Sequence, residues 1–215
     1  MLKRASRLVF IAIVLAAASV PTAYAGPLAD YAYTPDSHYG YTVHSRVECD
    51  GYITYVLDLT SQAWAEGQAT PAVWRHWLTV VVPDQVEHSR ALLSIQGGRR
   101  TASPPTAAPA YFVNLATTTK SVVAILRDVP NQPLVFAGEG KERVEDEIVA
   151  YTFAQFAETG DPHRPLLCPM VKSAVRAMDA VQSLCVKDMT PPVMINGFVV
   201  TGVSKRGWTT WLTGA

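Results

Sequence analysis

One serine in this chain is placed where a nucleophile could be held. Ser204 lies in Gly202-Val203-Ser204-Lys205-Arg206-Gly207, after the β-branched run Phe198 to Thr201 and before a segment of helical character ending in Trp208-Thr209-Thr210-Trp211-Leu212. A strand that turns sharply into a helix and carries a serine at the turn has the layout of a nucleophile elbow. So tight a turn tolerates only small neighbours, and Gly202 and Gly207 supply them. A helix that starts directly after the serine aims backbone N–H groups at any oxyanion formed there, the Lys205 N–H first among them. The chemistry implied is acyl transfer to a serine, with hydrolysis of an ester or an amide.

A second oxyanion donor is expected from an earlier strand. Ala91 to Ile95 reads as a short buried strand that runs into Gln96-Gly97-Gly98, and hydrolases place the second N–H in such a loop. A plain Gly-Gly turn leaves the same signature in sequence, so Gly97 and Gly98 are candidates and no more. The Lys205 ammonium is either solvated or turned toward developing negative charge.

Triad hydrolases of this type run in the order serine, acid, histidine. The five histidines, His38, His44, His76, His88 and His163, all precede Ser204. The acid and the histidine are therefore expected beyond Ala215, with this chain the N-terminal portion of a longer domain that turns over poorly alone. Its elbow strand is then expected to carry an unpaired outer edge beside apolar surface. His76, flanked by tryptophans, reads as a structural histidine, and His88 and His163 as surface residues. The acidic run Glu142, Glu145, Asp146 and Glu147 reads as a helix start, and Asp179 as solvated. Trp208 and Trp211, three apart, share one side of the elbow helix, where core packing outweighs a substrate platform.

These residues need a scaffold. Pro27 to Tyr41 reads as an irregular lead-in. Tyr52 to Leu59 alternates as a strand, Trp77 to Val82 is a second strand stopped by Pro83-Asp84, and Ser121 to Leu126 is a further β-type run. Arg99 to Pro109 is a Pro-, Thr- and Ala-rich loop. Glu145 to Glu158 reads as a helix closed by Gly160-Asp161-Pro162. Leu166 to Leu184 is the clearest helix, with Leu166, Met170, Ala174 and Met178 at spacing four. Strands first, then strand and helix in alternation, imply an α/β sheet with helices packed on it and a site at the carboxyl ends of the strands.

The N-terminus reads as a secretory signal: basic Lys3, Arg4 and Arg7, an apolar Leu8 to Val20, and Ala23-Tyr24-Ala25 as an A-x-A cleavage site. Residues 1–25 are thus expected to be removed, leaving 26–215 as the hydrolase-like portion beginning at Gly26. The alternative is an uncleaved anchor. The product would be periplasmic or secreted, with no stable membrane span after cleavage. Net charge is zero at neutral pH, so nothing suggests a nucleic-acid partner. The three cysteines, Cys49, Cys168 and Cys185, fit no metal spacing, and an exported protein could pair two of them. No metal and no cofactor are expected.

The chain resembles the PhoPQ-activated pathogenicity-related proteins. The matching segments include Thr60-Ser61-Gln62, Trp74-Arg75-His76-Trp77-Leu78, Gln96-Gly97-Gly98, Pro130-Asn131-Gln132-Pro133-Leu134, Arg143 with Glu145-Asp146-Glu147, Pro169 to Ala180, and Ser204 to Leu212. The resemblance implies an exported α/β-hydrolase-like fold in which members continue well past the elbow. It does not supply the substrate. The spacing Gly-x-Ser-x-x-Gly is also similar to that of glucuronoyl esterases, which place a basic residue directly after the serine, as Lys205 is here. The reading that results is an exported serine-hydrolase-like protein acting on a small-molecule, peptide or envelope substrate. The alternative is a non-catalytic signalling or binding protein on the same scaffold.

Overall fold

The computed structural model describes residues 26–99 and 103–214; the expected signal segment and residues 100–102 lie outside the described residues. In chain order the elements are α1 (Gly26–Tyr33), β1 (Gly40–Cys49), β2 (Tyr52–Ala63), β3 (Ala69–Thr70), β4 (Val73–Pro83), β5 (Arg90–Ile95), α2 (Ala110–Thr119), β6 (Val123–Leu126), β7 (Leu134–Phe136), β8 (Glu142–Arg143), α3 (Asp146–Thr159), α4 (Leu167–Lys187), β9 (Gly197–Gly202) and α5 (Lys205–Gly214). The main sheet has six strands in the order β1-β2-β4-β6-β5-β9, and β3, β7 and β8 form a small antiparallel sheet.

The main sheet is mixed. β1, β2, β4 and β6 pair antiparallel, whereas β5 runs parallel to both β6 and β9. Parallel neighbours require crossover connections, and helices α2, α3 and α4 supply them. β6 shows the consequence in sequence: Val123, Ala124, Ile125 and Leu126 are all buried. Val123 and Ile125 pack with Phe112 and Ala116 of α2 on one face. Ala124 and Leu126 join the main core on the other face, where Met170, Ala174, Ala177, Val181 and Leu184 of α4 lie. A strand covered on both faces cannot alternate with polar residues, which is why this run is uninterrupted.

The segment expected to be irregular, Pro27 to Tyr41, is in part helical as α1. β1 and α2 are absent from the sequence reading. β1 is a mostly exposed edge strand whose apolar residues do not mark a buried face, with Val43 and Val47 outward. Its register, Cys49 opposite Tyr52, encloses Asp50-Gly51, a two-residue hairpin loop with Gly51 at φ 83°. Asp-Gly between two extended runs is a strong short-range hairpin signal and was the available clue. α2 is rich in Thr, which pulls propensity away from helix, but Phe112 and Ala116 at spacing four give it a buried stripe. All three cysteines are free, Cys49 exposed and the other two buried in α4. Among the described residues no helix is long and apolar enough to cross a membrane.

A buried polar knot ties β2, β4 and α4 together. The β2–β4 register steps from Thr60–Arg75 to Gln62–Trp74, so Ser61 is an additional residue in a bulge. Ser61 Oγ lies 3.0 Å from His76 Nε2 and 3.1 Å from Ser173 Oγ, and His76 Nδ1 lies 3.1 Å from the Arg127 carbonyl oxygen. Gln62 Nε2 donates to the Pro169 carbonyl oxygen at 2.7 Å, and the Tyr31 hydroxyl donates to Gln62 Oε1 at 2.7 Å. This pattern is that of a neutral imidazole with Nδ1–H donating and Nε2 accepting. Burial pushes the His76 pKa down to about 4.

A folded-state pKa below the ordinary histidine value gives stability that is complete above pH 6.5 and is lost as pH falls from 6.5 toward 4, where the unfolded chain gains a proton first. The shift corresponds to about 3 kcal/mol across that window. Thermal melts of the parent and of His76→Gln at pH 5 to 8 are expected to differ in slope, the parent losing more stability on acidification. Parallel profiles would show that His76 does not titrate differently in the two states.

Candidate active site: a serine elbow held by a buried ion pair

At the carboxyl end of β9 the backbone turns directly into α5. Ser204 is exposed at the turn with φ 59°, a left-handed conformation that costs a non-glycine residue of order 1–3 kcal/mol and persists only where the surroundings impose it. The surroundings here are close. A Cβ at Gly202 would lie 2.6 Å from the Arg206 carbonyl carbon and oxygen, and one at Gly207 would lie 3.1 Å from the Gly202 oxygen. The two glycines let the strand end and the first helical turn cross in near contact. The parallel register sets Ile95 opposite Gly202, so Gln96 and Gly97 follow β5 at the level where Val203 and Ser204 follow β9. The N–H groups of Gly97, Gly98 and Lys205 have no hydrogen-bond acceptor among the described residues.

Lys205 and Arg206 begin α5, where a helix disfavours cations, and both are buried. Their counter-ion is Glu145. Arg206 Nη1 donates to Glu145 Oε2 at 2.9 Å and Nη2 to Oε1 at 2.7 Å, while Nε donates to the Val129 carbonyl oxygen at 2.6 Å. Lys205 Nζ pairs with Glu145 Oε2 and lies 3.0 Å from Asp146 Oδ1. Hydrogen bonds from Arg206 first, then from Lys205 and Gln132, hold the Glu145 carboxyl down at about 2. Gln132 completes the knot: its Nε2 donates to Glu145 Oε1 at 2.6 Å and to the Gly98 carbonyl oxygen at 2.7 Å, and its Oε1 accepts the Glu145 N–H at 2.7 Å. The guanidinium also packs on Gly97, where a Cβ would meet Arg206 Nη2 at 2.5 Å. One ion pair therefore fixes the start of α5, the Gly97-Gly98 loop and the Pro130–Pro133 loop to one another.

Three readings change here. The Lys205 side chain is neither solvated nor free to face an oxyanion; it is 8% exposed and committed to Glu145 and Asp146. Glu145 is more than a helix-start residue, because it carries the charge balance of the site. Among the described residues Trp208 and Trp211 do not enter the core: Trp211 is 82% exposed, and Trp208 is half exposed and stacks on Phe153 at 5.8 Å between ring centroids. The inward side of α5 instead carries Lys205, Arg206 and Thr209, with Leu212 packed against the core. The role of Arg206 and Gln132 was missed. The available signal was a cation at a helix start between two glycines, a position that demands a buried anion.

Of the histidines, none hydrogen-bonds Ser204 among the described residues; His76 is occupied in the knot behind the sheet. No group of three or more metal-ligating side chains gathers among the described residues.

A mixed sheet whose parallel strands end in a serine elbow and a neighbouring Gly-Gly loop defines an α/β-hydrolase-type scaffold. The chain belongs to the PhoPQ-activated pathogenicity-related protein family, which it matches over residues 28–215. It is 34% identical over 204 residues to autocrine proliferation repressor protein A of Dictyostelium discoideum, covering 94% of this chain and 41% of that protein. Among solved structures it is similar to a putative acetyl xylan esterase from Bacteroides fragilis (TM-score 0.52, 13% identity, 87% of this chain and 47% of that one). It is also similar to a glucuronoyl esterase from Solibacter usitatus (TM-score 0.48, 12% identity, 87% of this chain and 53% of that one). The chain thus spans about half the length of these proteins or less.

Removing the carboxylate leaves two buried cations facing each other. Glu145→Ala is expected to lower stability by about 3 kcal/mol, the low end of the range for a broken buried pair because the Glu145 side chain is 37% exposed. Denaturant melts of the parent, Glu145→Ala and Glu145→Gln check this. A loss below about 0.5 kcal/mol in Glu145→Ala would mean that the clamp is only a surface ion pair.

Proposed function

We propose that this protein is an exported serine hydrolase that cleaves an ester or amide by acyl transfer. The observation that carries the reading is Ser204, exposed at φ 59° on a strand-to-helix turn that only Gly202 and Gly207 make possible. In this reading Ser204 Oγ attacks the substrate carbonyl and the carbonyl oxygen becomes an oxyanion. The Lys205 N–H and the N–H of Gly97 or Gly98 stabilise that oxyanion, and the open state of these donors supports the assignment. The tetrahedral intermediate then expels the alcohol or amine, which takes a proton, and water hydrolyses the acyl-enzyme. The proton carrier is a histidine oriented by an acid, both assigned to sequence outside the described residues in keeping with the order serine, acid, histidine. The substrate is a small molecule, a peptide or an envelope component.

A second reading keeps the scaffold without catalysis, as an exported signalling or binding protein. The name of the Dictyostelium relative favours it. Labelling of a full-length homologue carrying this segment with a fluorophosphonate probe separates the two. Labelling is expected, with loss in Ser204→Ala; residues 26–215 alone should label poorly. A full-length protein that does not label, with its fold intact, favours the binding protein.

Export is proposed from the basic start, the apolar Leu8 to Val20 and Ala23-Tyr24-Ala25. Mass spectrometry of the exported protein is expected to find Gly26 at its N-terminus. Recovery of an intact Met1 end in the membrane fraction would sink this.

A further inference from the structure

Beside the elbow lies a cavity of about 300 Å³ at the carboxyl ends of β5 and β6, whose lining includes Gly97, Gly98, Arg99, Asp128, Trp77 and Arg127. Ligands of open α/β sheets bind at this end of the strands. The cavity shares the Gly97-Gly98 loop with the proposed oxyanion site, and Arg127 stands two strands from Ser204, about 10 Å across the sheet.

Arg127 is the unusual member. Its backbone is fully used, the N–H donating to the Trp77 carbonyl oxygen at 3.0 Å and the carbonyl oxygen facing His76 Nδ1 at 3.1 Å. Its side chain, by contrast, forms neither a hydrogen bond nor an ion pair among the described residues, and its Nε is buried without an acceptor. A buried guanidinium N–H without a partner is costly, and every other cation near this site has one. Lys205 and Arg206 are held by Glu145, with Asp146 and the Val129 carbonyl oxygen, and Arg99, which also lines the cavity, pairs loosely with Glu142 at 3.7 Å with both side chains exposed. Asp128 does not neutralise Arg127 by contact, since no ion pair joins them. Burial pushes the Asp128 carboxyl up to about 6, so its negative charge is weakened in the same wall. The Asp128 backbone, at φ 62°, sits against Gly98, where any side chain would strike the carboxylate. The wall is apolar on the Trp77 side and, beside it, carries the half-buried Arg127, whose Nε has no acceptor among the described residues.

We propose that this cavity is a subsite for a carboxylate carried by the substrate, with Arg127 as its anchor and Trp77 as the flat apolar wall beside it. A guanidinium fork matches a planar carboxylate bidentately, and the cavity has the size of a small ligand group. The proposal names the substrate class for the Ser204 reading and rests on it for meaning: the scissile ester or amide would lie about 10 Å from an acidic group of the same molecule.

The test separates binding from catalysis. Monomethyl azelate, a monoanion whose extended nine-carbon chain can span from Ser204 to Arg127, and dimethyl azelate, its neutral counterpart, are titrated against the full chain in the Ser204→Ala background by chemical-shift mapping. The acid is expected to bind at least about 10-fold more tightly than the diester, as one charge-assisted hydrogen-bonded pair allows. Arg127→Gln is expected to abolish that preference, and Arg127→Lys to retain part of it. Should Arg127→Gln melt well below the parent, Arg127→Lys decides, since it keeps the charge and loses the fork. Equal affinity for the two probes, or a preference that survives Arg127→Gln, overturns the subsite. Because the serine is absent, neither result depends on whether Ser204 is a nucleophile; a failed fluorophosphonate labelling with an intact acid preference would overturn the hydrolase reading alone.

Discussion

The bidentate pair between Glu145 and Arg206 is the interaction on which the arrangement of the site depends. It joins the residue before α3 to the second residue of α5, across sixty-one positions of sequence. Burying two cations at the start of a helix is unfavourable by both desolvation and the helix dipole. A carboxylate with both oxygens engaged, and held in place by Gln132 through its own backbone N–H, offsets that cost. The return is geometric. The same guanidinium donates to the Val129 carbonyl oxygen and packs on Gly97, so the elbow and the neighbouring loop cannot shift separately. The strained backbone at Ser204 has its counterpart at Glu145, which also has a positive φ, 52°. The two strained residues stand at the two ends of one clamp.

Much of the fold was legible in the sequence, because burial leaves periodic traces. The spacing-four stripe of α4, the unbroken apolar run of β6 and the strand-turn-helix at Ser204 each follow from one physical demand on a short segment. Elements without such a demand left only indirect traces, such as the Asp50-Gly51 turn that follows β1. β1 lies exposed at an edge, α2 buries little more than Phe112 and Ala116, and β3, β7 and β8 are too short to carry a pattern. The site was legible only as far as the backbone governs it. Gly202, Ser204 and Gly207 are local consequences of a tight turn. Gln132, Glu145 and Arg206 come together only in three dimensions, and no spacing relates them. The outward Trp211 likewise follows from the side of α5 turned inward, which carries Lys205, Arg206 and Thr209 as well as Leu212.

The scaffold and the chemistry are separate matters in this protein. The sheet order, the parallel strands and the elbow define a hydrolase-type framework, and frameworks of this kind serve many ends. What is particular to this chain is the distribution of its cations. Lys205 and Arg206 are committed to internal order, while the Arg127 Nε is buried without an acceptor among the described residues. The buried imidazole of His76 is likewise committed to structure by Ser61 and the Arg127 carbonyl oxygen.

The Glu145–Arg206 contact also has a direction. The guanidinium is called on by a carboxylate on one side and by the Val129 carbonyl oxygen on the other, and both are acceptors. Exchanging the two residues would keep the sum of charges and would set a carboxylate against a carbonyl oxygen beside Gly97. The pair is therefore not interchangeable, and neither position can drift alone without leaving the other charge stranded. Inheritance would have to treat Gln132, Glu145 and Arg206 as one character spread over three places in the chain. A sequence that has lost one of them should have lost the others, or have rebuilt the loop around Gly97 altogether.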